Sequence, residues 1–399
     1  MNRTVSLRHY ADVNPRTNEF KEVAEGESLA FLPLENIWPS GSADYSQTKA
    51  WKNTDTSYTQ FRRGDILVPK VTPTVFHGRS MIAETETEVG LATSEVHVLR
   101  PKNGADARWI TYNLLSSQFL DRARGAVHGV GGLQRISSSY LGSYKVVETG
   151  IPNQKRIADY LDRETAEIDA AVADLDRYVE LLSLRRISIV ERRLVEASYE
   201  MCPIGLLANV TLGKMVSTKA QDDGVLQNYL RAAHVQPGGR LDFSAPERRM
   251  YFSASEAYRL NLLKGDVVVV EGGAGFGRSA ILDTDLPNWG FQNSINRLRV
   301  KPSKADPRFV NYMLMRALQN GSIDLATDTA TIPHFTAEKL SRFRIPVCSL
   351  ADQVRFSDTI DRETATLDSL ISESTKLRDL LLKRRSVLIT EVVTGRKKV

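Results

Sequence analysis

The sequence predicts a mixed α/β (α+β) fold laid out as an internal tandem repeat: a compact domain of short strands and helices, one long helix, and then the same pair again. Three observations predict it. The chain matches itself at a fixed offset, two helical patterns run past forty residues without Gly or Pro, and the segments before them consist of short β-rich runs broken by turn residues. The domains are assigned to residues 1–150 and 200–348, and the long helices to 151–199 and 349–399.

The repeat is clearest at the helix entries. QKRIADYLDRETAEID from Gln154 overlies QVRFSDTIDRETATLD from Gln353, an offset of 199 residues, and Leu181, Leu182, Arg185 and Arg186 then fall on Leu380, Leu381, Arg384 and Arg385. A shared DRETA inside a matching apolar pattern is not a chance event. Fainter echoes precede it: RGDILV from Arg63 against KGDVVV from Lys264, DARWITY from Asp106 against DPRFVNY from Asp306, and FLPLENI from Phe31 against YLRAAHV from Tyr229.

In chain order, the first domain shows β-rich runs at 65–69 and 95–99 and a helical stretch at 109–123; the second shows a run at 267–270 and a helix at 308–320. After Pro152, apolar residues recur at Ile157, Leu161, Ile168, Val172, Leu175, Val179 and Leu182; the second helix repeats this with Ile360, Leu367, Ile371, Leu377, Leu381 and Leu388. Forty-odd residues at 1.5 Å each give a rod of about 60 Å, too long to stand without a partner for its apolar stripe. The obvious partner is the other copy.

Composition narrows the function. With 399 residues, 42% of them hydrophobic, the chain has enough apolar surface for several cores. A net charge of +5 favours a polyanionic partner. Two cysteines, Cys202 and Cys348, make neither a disulfide framework nor a cysteine-rich zinc site, and six scattered histidines form no metal-binding pair. The N-terminus has no apolar core of signal-peptide length and no window reaches eighteen uninterrupted apolar residues, so a cytoplasmic protein without a membrane span is expected.

One stretch invites a catalytic reading. DVVVVEGGAGFGRSA, from Asp266 to Ala280, has the strand, acid and alternating glycines of a methyl-donor loop. Against that reading, the segment after Arg278 looks like a strand and a turn rather than an amphipathic helix, and the chain contains no proline-proline-aromatic tetrapeptide of the amino-methyltransferase type. Its duplicate, from Asp65 to Ser80, keeps the flanking GD and GRS but none of the glycines between them. A constant frame with divergent loops is what two recognition domains for two different targets would show.

With these features the chain resembles the specificity subunits of type I restriction-modification systems. The resemblance rests on the domain-helix-domain-helix order, the LKGD before a β-run, Phe309-Val-Asn-Tyr312-Met-Leu314, and the Gln-led entry to each long helix. It implies that the domains are target recognition domains and that the helices pack antiparallel as a coiled-coil spacer with pseudo-twofold symmetry. It further implies that the chain carries no chemistry or cofactor of its own. Its partners would be double-stranded DNA, two modification subunits holding S-adenosylmethionine for adenine methylation, and two restriction subunits using ATP and Mg. Ile151-Pro152 in one copy and Ile345-Pro346 in the other sit five residues out of register, so the turns into the two helices are expected to differ.

Reading DNA requires cations for phosphates and polar side chains for base edges, so loop residues are the candidates. In the first domain these are Lys70, His77, Arg79, His128, Gln134 and Arg135; in the second, Arg278, Gln292, Asn293 and His334. The target should be bipartite and asymmetric, with half-sites about one helical turn, roughly 34 Å, apart. Asp162, Arg163, Glu164, Asp361, Arg362 and Glu363 of the two DRETA motifs have two readings: acids near a helix start that favour its dipole, or a docking surface presented twice to two copies of one partner. A stand-alone S-adenosylmethionine-dependent methyltransferase and a coiled-coil scaffold with protein-binding end domains are the alternatives.

Overall fold

In a computed structural model of the chain, the described residues are 3–38, 43–54, 57–129, 134–194, 199–217, 224–244, 247–273, 275–327 and 334–399. They form two compact units, Met1–Leu175 with Lys376–Val399, and Asp176–Thr375. Each unit contains one of the repeated domains together with a segment of each long helix, so the units do not follow the order of the sequence.

In the first unit, Ile66–Pro69 is the central strand of an antiparallel sheet ordered Ala11–Val13, Val96–Pro101, Ile66–Pro69, Met81–Ile82. All four of its residues are buried, because both faces are covered. Ile66 and Val68 pack with Trp109, Ile110 and Phe119 of the helices, while Leu67 packs with Leu32 and Phe61 of a second four-stranded sheet. In that second sheet Ser28–Leu32 runs parallel to Val89–Ala92. The second unit repeats the scheme: Val267 and Val269 face Phe309 and Val310, Val268 and Val270 face Phe252 and Phe291, and Val225–Leu230 runs parallel to Trp289–Phe291. The unbroken VVVV is therefore a strand buried on both sides.

The RGD and KGD echoes now have a cause. Gly64 and Gly265 adopt φ of +86° and +85°, the left-handed turn that a side chain resists. The next residue, Asp65 or Asp266, is almost fully buried and accepts two bonds from Arg100 (2.8 and 2.7 Å) or Arg299 (2.8 and 2.7 Å) on the neighbouring strand. The same carboxylate caps its own turn by accepting from the backbone N–H of Arg62 or Leu263. A bidentate arginine bridge at this depth makes sense only with those extra bonds.

The helical stretch of the first domain is two helices, Ala107–Leu115 and Ser117–Arg124. Ser116 interrupts them, since its hydroxyl caps the second helix at Phe119 N. The second domain has Arg316 in the equivalent place and a single helix, Pro307–Gln319.

The long helices are Ile151–Leu194 and Leu350–Val393. In the second unit Arg193 pairs with Glu363 and Arg186 with Asp368, and Leu182 packs with Leu367 and Ile371. In the first unit Asp169 pairs with Arg385 and Tyr160 accepts from Lys397 at 2.7 Å, while Leu161 and Ile168 pack with Leu388, Ile389 and Val392. In both units numbers fall on one helix as they rise on the other, so the pairing is antiparallel. Leu377, expected on the seam, is 49% exposed. The seam keeps a three-four spacing through Ile371 and Leu388, which leaves position 377 one step off the stripe.

The helix entries do not differ as expected; Ile345-Pro346 belongs to a strand, Arg344–Val347, and not to the turn. Gln154 accepts from Asp106 N and donates to Thr149 O, and Gln353 accepts from Asp306 N and donates to Cys348 O, so both helices start on the same anchor. No helix among the described residues is long and apolar enough to cross a membrane.

Candidate nucleic-acid interface

In the first domain the end of Ile66–Pro69 gathers four of the six expected residues. Lys70 donates its backbone N–H to Glu95 O (3.0 Å) and accepts from Ile136 N (2.9 Å). Thr72 and Gln134 exchange bonds, and Arg135 pairs backbone to backbone with His128 at 2.9 and 3.0 Å. Lys70, His128, Gln134 and Arg135 thus share one surface. The Arg135 guanidinium is engaged there: it forms two 2.8 Å bonds with Glu95 and holds that carboxyl below its usual range.

His77 and Arg79 stand in another cluster. His77 ends a single turn of 3-10 helix, Thr74–His77, before Gly78, and burial with the nearby Arg79 and Arg124 pushes its imidazole down, so it is neutral at pH 7. Arg79 donates to Ile37 O at 3.0 Å. Residues 130–133 of the glycine-rich loop lie outside the described residues.

In the second domain the glycine loop is a hairpin turn. Val267–Val270 folds back antiparallel onto Ser279–Ile281, with Val270 N donating to Arg278 O (2.8 Å) and Arg278 N to Gly275 O (3.0 Å). Among the described residues, this strand-turn-strand segment has no helix N-terminus of the kind that a methyl-donor loop requires. Gln292 and Asn293 do converge, bonding Leu230 O and Lys214 O at 3.0 and 2.9 Å, and Lys214 is ion-paired with Glu256. His334 is exposed beside Glu271: burial pushes that carboxyl up and the His334 charge opposes the shift. Residues 329–333 before it lie outside the described residues.

The DRETA aspartates bond residues of their own domains. Asp162 accepts from Arg108 Nη1 (2.6 Å) and Tyr112 Oη (2.7 Å); Asp361 accepts from Arg308 Nη1 (2.7 Å) and from Tyr312 Oη. Each tyrosine is buried and its phenol is pushed up by desolvation, so it stays a donor. Glu363 is taken by Arg192 and Arg193. Glu164 pairs with Arg163 at 3.2 Å. Arg163 and Arg362 remain exposed, the former over the Tyr160 ring at 5.4 Å.

Sequence reasoning missed a cleft of about 610 Å³ next to Lys70. Its floor is Val96–Val98, where Asn14 Nδ2 meets His97 Nδ1 at 3.1 Å and His97 Nε2 donates to Ile136 O at 3.0 Å. Arg16, Asn18, Lys21, Asn53 and Gln60 line it. No turn motif or glycine pattern marks these positions; the two sheets bring segments forty residues apart to one opening.

Residues 198–376 match the family described as the type I restriction modification DNA specificity domain. That segment is just under half of the chain, and the curated relatives that the chain resembles are type I restriction enzyme specificity subunits. The chain is 23% identical over 237 residues to the Escherichia coli type I restriction enzyme EcoEI specificity subunit, covering 57% of this chain and 39% of that protein. It is 26% identical over 156 residues to the Escherichia coli EcoAI specificity subunit, covering 38% of this chain and 26% of that one. The matches therefore span well under half of those relatives' length. The fold is shared with a solved chain described as "Structural basis underlying complex assembly and conformational transition of the type I R-M system", at a TM-score of 0.55 and 13% identity over 99% of this chain and 98% of that one.

Proposed function

We propose that this chain is the non-catalytic DNA-specificity subunit of a type I restriction-modification complex, which reads an asymmetric bipartite target with its two domains. The observation that carries this reading is a frame built twice with different contents at its reading edge. His97 donates to Ile136 O and Asn296, its repeat mate, donates to Phe335 O at 2.8 Å, yet Lys70, Gln134 and Arg135 surround the first and Glu271 and His334 the second. Two readers that share geometry and not chemistry suit two unrelated half-sites.

In this reading the chemistry belongs to partners: S-adenosylmethionine sits on two modification subunits, and ATP with Mg on two restriction subunits. The DRETA residues Asp162, Arg163, Glu164, Asp361, Arg362 and Glu363 form the docking surface in this reading, with Arg163 and Arg362 its most exposed members. The hairpin geometry at Glu271 argues against a stand-alone methyltransferase.

The test is to express the chain with its modification subunit and map methylation on genomic DNA. A single asymmetric two-part motif, altered in one half when residues 1–150 are exchanged, is the expected result. Association without any motif would favour the scaffold reading instead.

A further inference from the structure

The cleft beside Lys70 has the composition of a nucleic-acid reader. Arg16 and Lys21 bring two cations to it and Lys70 a third, while Asn18, Asn53 and Gln60 supply amides; among its described lining residues none is acidic. Arg16, Asn18, Lys21 and Asn53 are exposed, and Gln60 and Lys70 half-buried. The floor is rigid. Phe20 and Trp51 meet edge to face at 4.7 Å, and the Trp51 indole donates to Asn53 Oδ1 at 3.1 Å, which turns the Asn53 NH₂ group outward as a donor. Cations of this kind hold phosphates, and amides on a fixed support read base edges, asparagine and glutamine suiting adenine.

We propose that this cleft is the base-reading surface of the first domain: Asn18, Asn53 and Gln60 hydrogen-bond base edges, and Arg16, Lys21 and Lys70 hold the flanking phosphates. The inference rests on the DNA-specificity reading and adds its first-domain determinants, of which only Lys70 is among the loop candidates that the sequence offers.

The test uses the full chain assembled with its modification subunit. The methylation motif of the wild-type complex is mapped first, followed by those of Asn18→Ala, Gln60→Ala and the double variant Arg16→Gln/Lys21→Gln, each checked by thermal melting. N18A and Q60A should each relax one base in the same half of the motif, lowering discrimination there by about 5- to 100-fold. The double variant should keep the motif and flatten the salt dependence of binding by about two in slope. If either alanine variant melts early, Asn18→Asp and Gln60→Glu keep the shape and replace donors by acceptors, so they should switch the preferred base. Variants that retain the wild-type motif, rate and salt slope would overturn the cleft assignment and leave the specificity function standing. A wild-type complex that yields no motif would overturn both.

Discussion

Arg186 of the first long helix meets Asp368 of the second at 3.0 Å, and their repeat mates Arg385 and Asp169 meet at 2.8 Å, each pair inside its own unit. The same ion pair is thus used twice. In both, the arginine side chain is nearly buried (10% and 14% exposed) and the aspartate is not (39% and 41%). Arg186 also donates to Gly238 O at 3.0 Å and lies over the Tyr312 ring at 5.3 Å, so it ties the helix seam to a domain hairpin.

That asymmetry of burial sets the outcome of a double-mutant cycle on Arg186→Ala and Asp368→Ala. Removing the carboxylate strands a buried guanidinium, whereas removing the arginine leaves an aspartate that water reaches. Each change should cost about 1–3 kcal/mol, below the range for fully buried pairs because Asp368 is partly solvated. The coupling should be about 1 kcal/mol, with the double variant losing less than the sum. Urea unfolding of the four proteins measures it; strict additivity would show that the pair is geometric only.

Gly90 and Gly290 offer a second matched site. A Cβ at Gly90 would lie 2.5 Å from the Phe61 ring, and one at Gly290 2.4 Å from the Phe252 ring. Both phenylalanines are fully buried and cannot retreat without disturbing a core. Gly90→Ala and Gly290→Ala should each destabilise the protein by about 1–3 kcal/mol through overpacking. Chemical denaturation read by tryptophan fluorescence decides this, and a change under about 0.5 kcal/mol would mean that the rings have room to move.

The features legible in the sequence are the periodic ones. DRETA, the apolar stripes and VVVV each have a repeat length that local geometry dictates, so the two long helices, the doubled domains and the buried strands can all be placed. The bonds of Arg79 to Ile37 O and of Arg135 to Glu95 are not legible, because these partners are distant in sequence and carry no pattern. Asp162 is ambiguous for the same reason, since Arg108 and Tyr112 reach it from fifty residues upstream. Arg16, Asn18 and Gln60 are invisible: a cleft between two sheets has no periodic signature.

His97 should make the first domain sensitive to mild acid. Burial pushes its imidazole below the ordinary histidine value, while the Ile136 bond partly opposes the shift. With Asn14 donating to Nδ1 and Nε2–H donating to Ile136 O, the folded state holds the neutral ring, and a second proton would face the Asn14 amide. A depressed folded value means that the unfolded chain binds the proton first. Its stability contribution is therefore complete above about pH 6.5 and is lost as pH falls through the folded value. Asn296 makes the matching bond without titrating, so His97→Asn should flatten that part of the stability profile between pH 7 and 5, with the shares of His234 and His77 remaining. Melting curves across that range test it, and an unchanged slope in the variant would remove His97 from the account.

Glu95 should act as a brake on DNA affinity. Its carboxylate neutralises Arg135 through two 2.8 Å bonds at the edge where Lys70, His128 and Gln134 gather, so the folded surface presents one cation fewer than its sequence suggests. Glu95→Gln removes the opposing charge and releases the guanidinium to a phosphate. Nonspecific duplex binding should then tighten, and the plot of log affinity against log salt should steepen by about one, the value for one additional phosphate contact. Arg135→Gln alone should change the slope little, and in the E95Q background it should cancel the gain. Fluorescence anisotropy at several salt concentrations reads both effects. Equal slopes for wild type and E95Q would place this edge away from the DNA, because a freed cation within reach of the backbone must register as a released counterion.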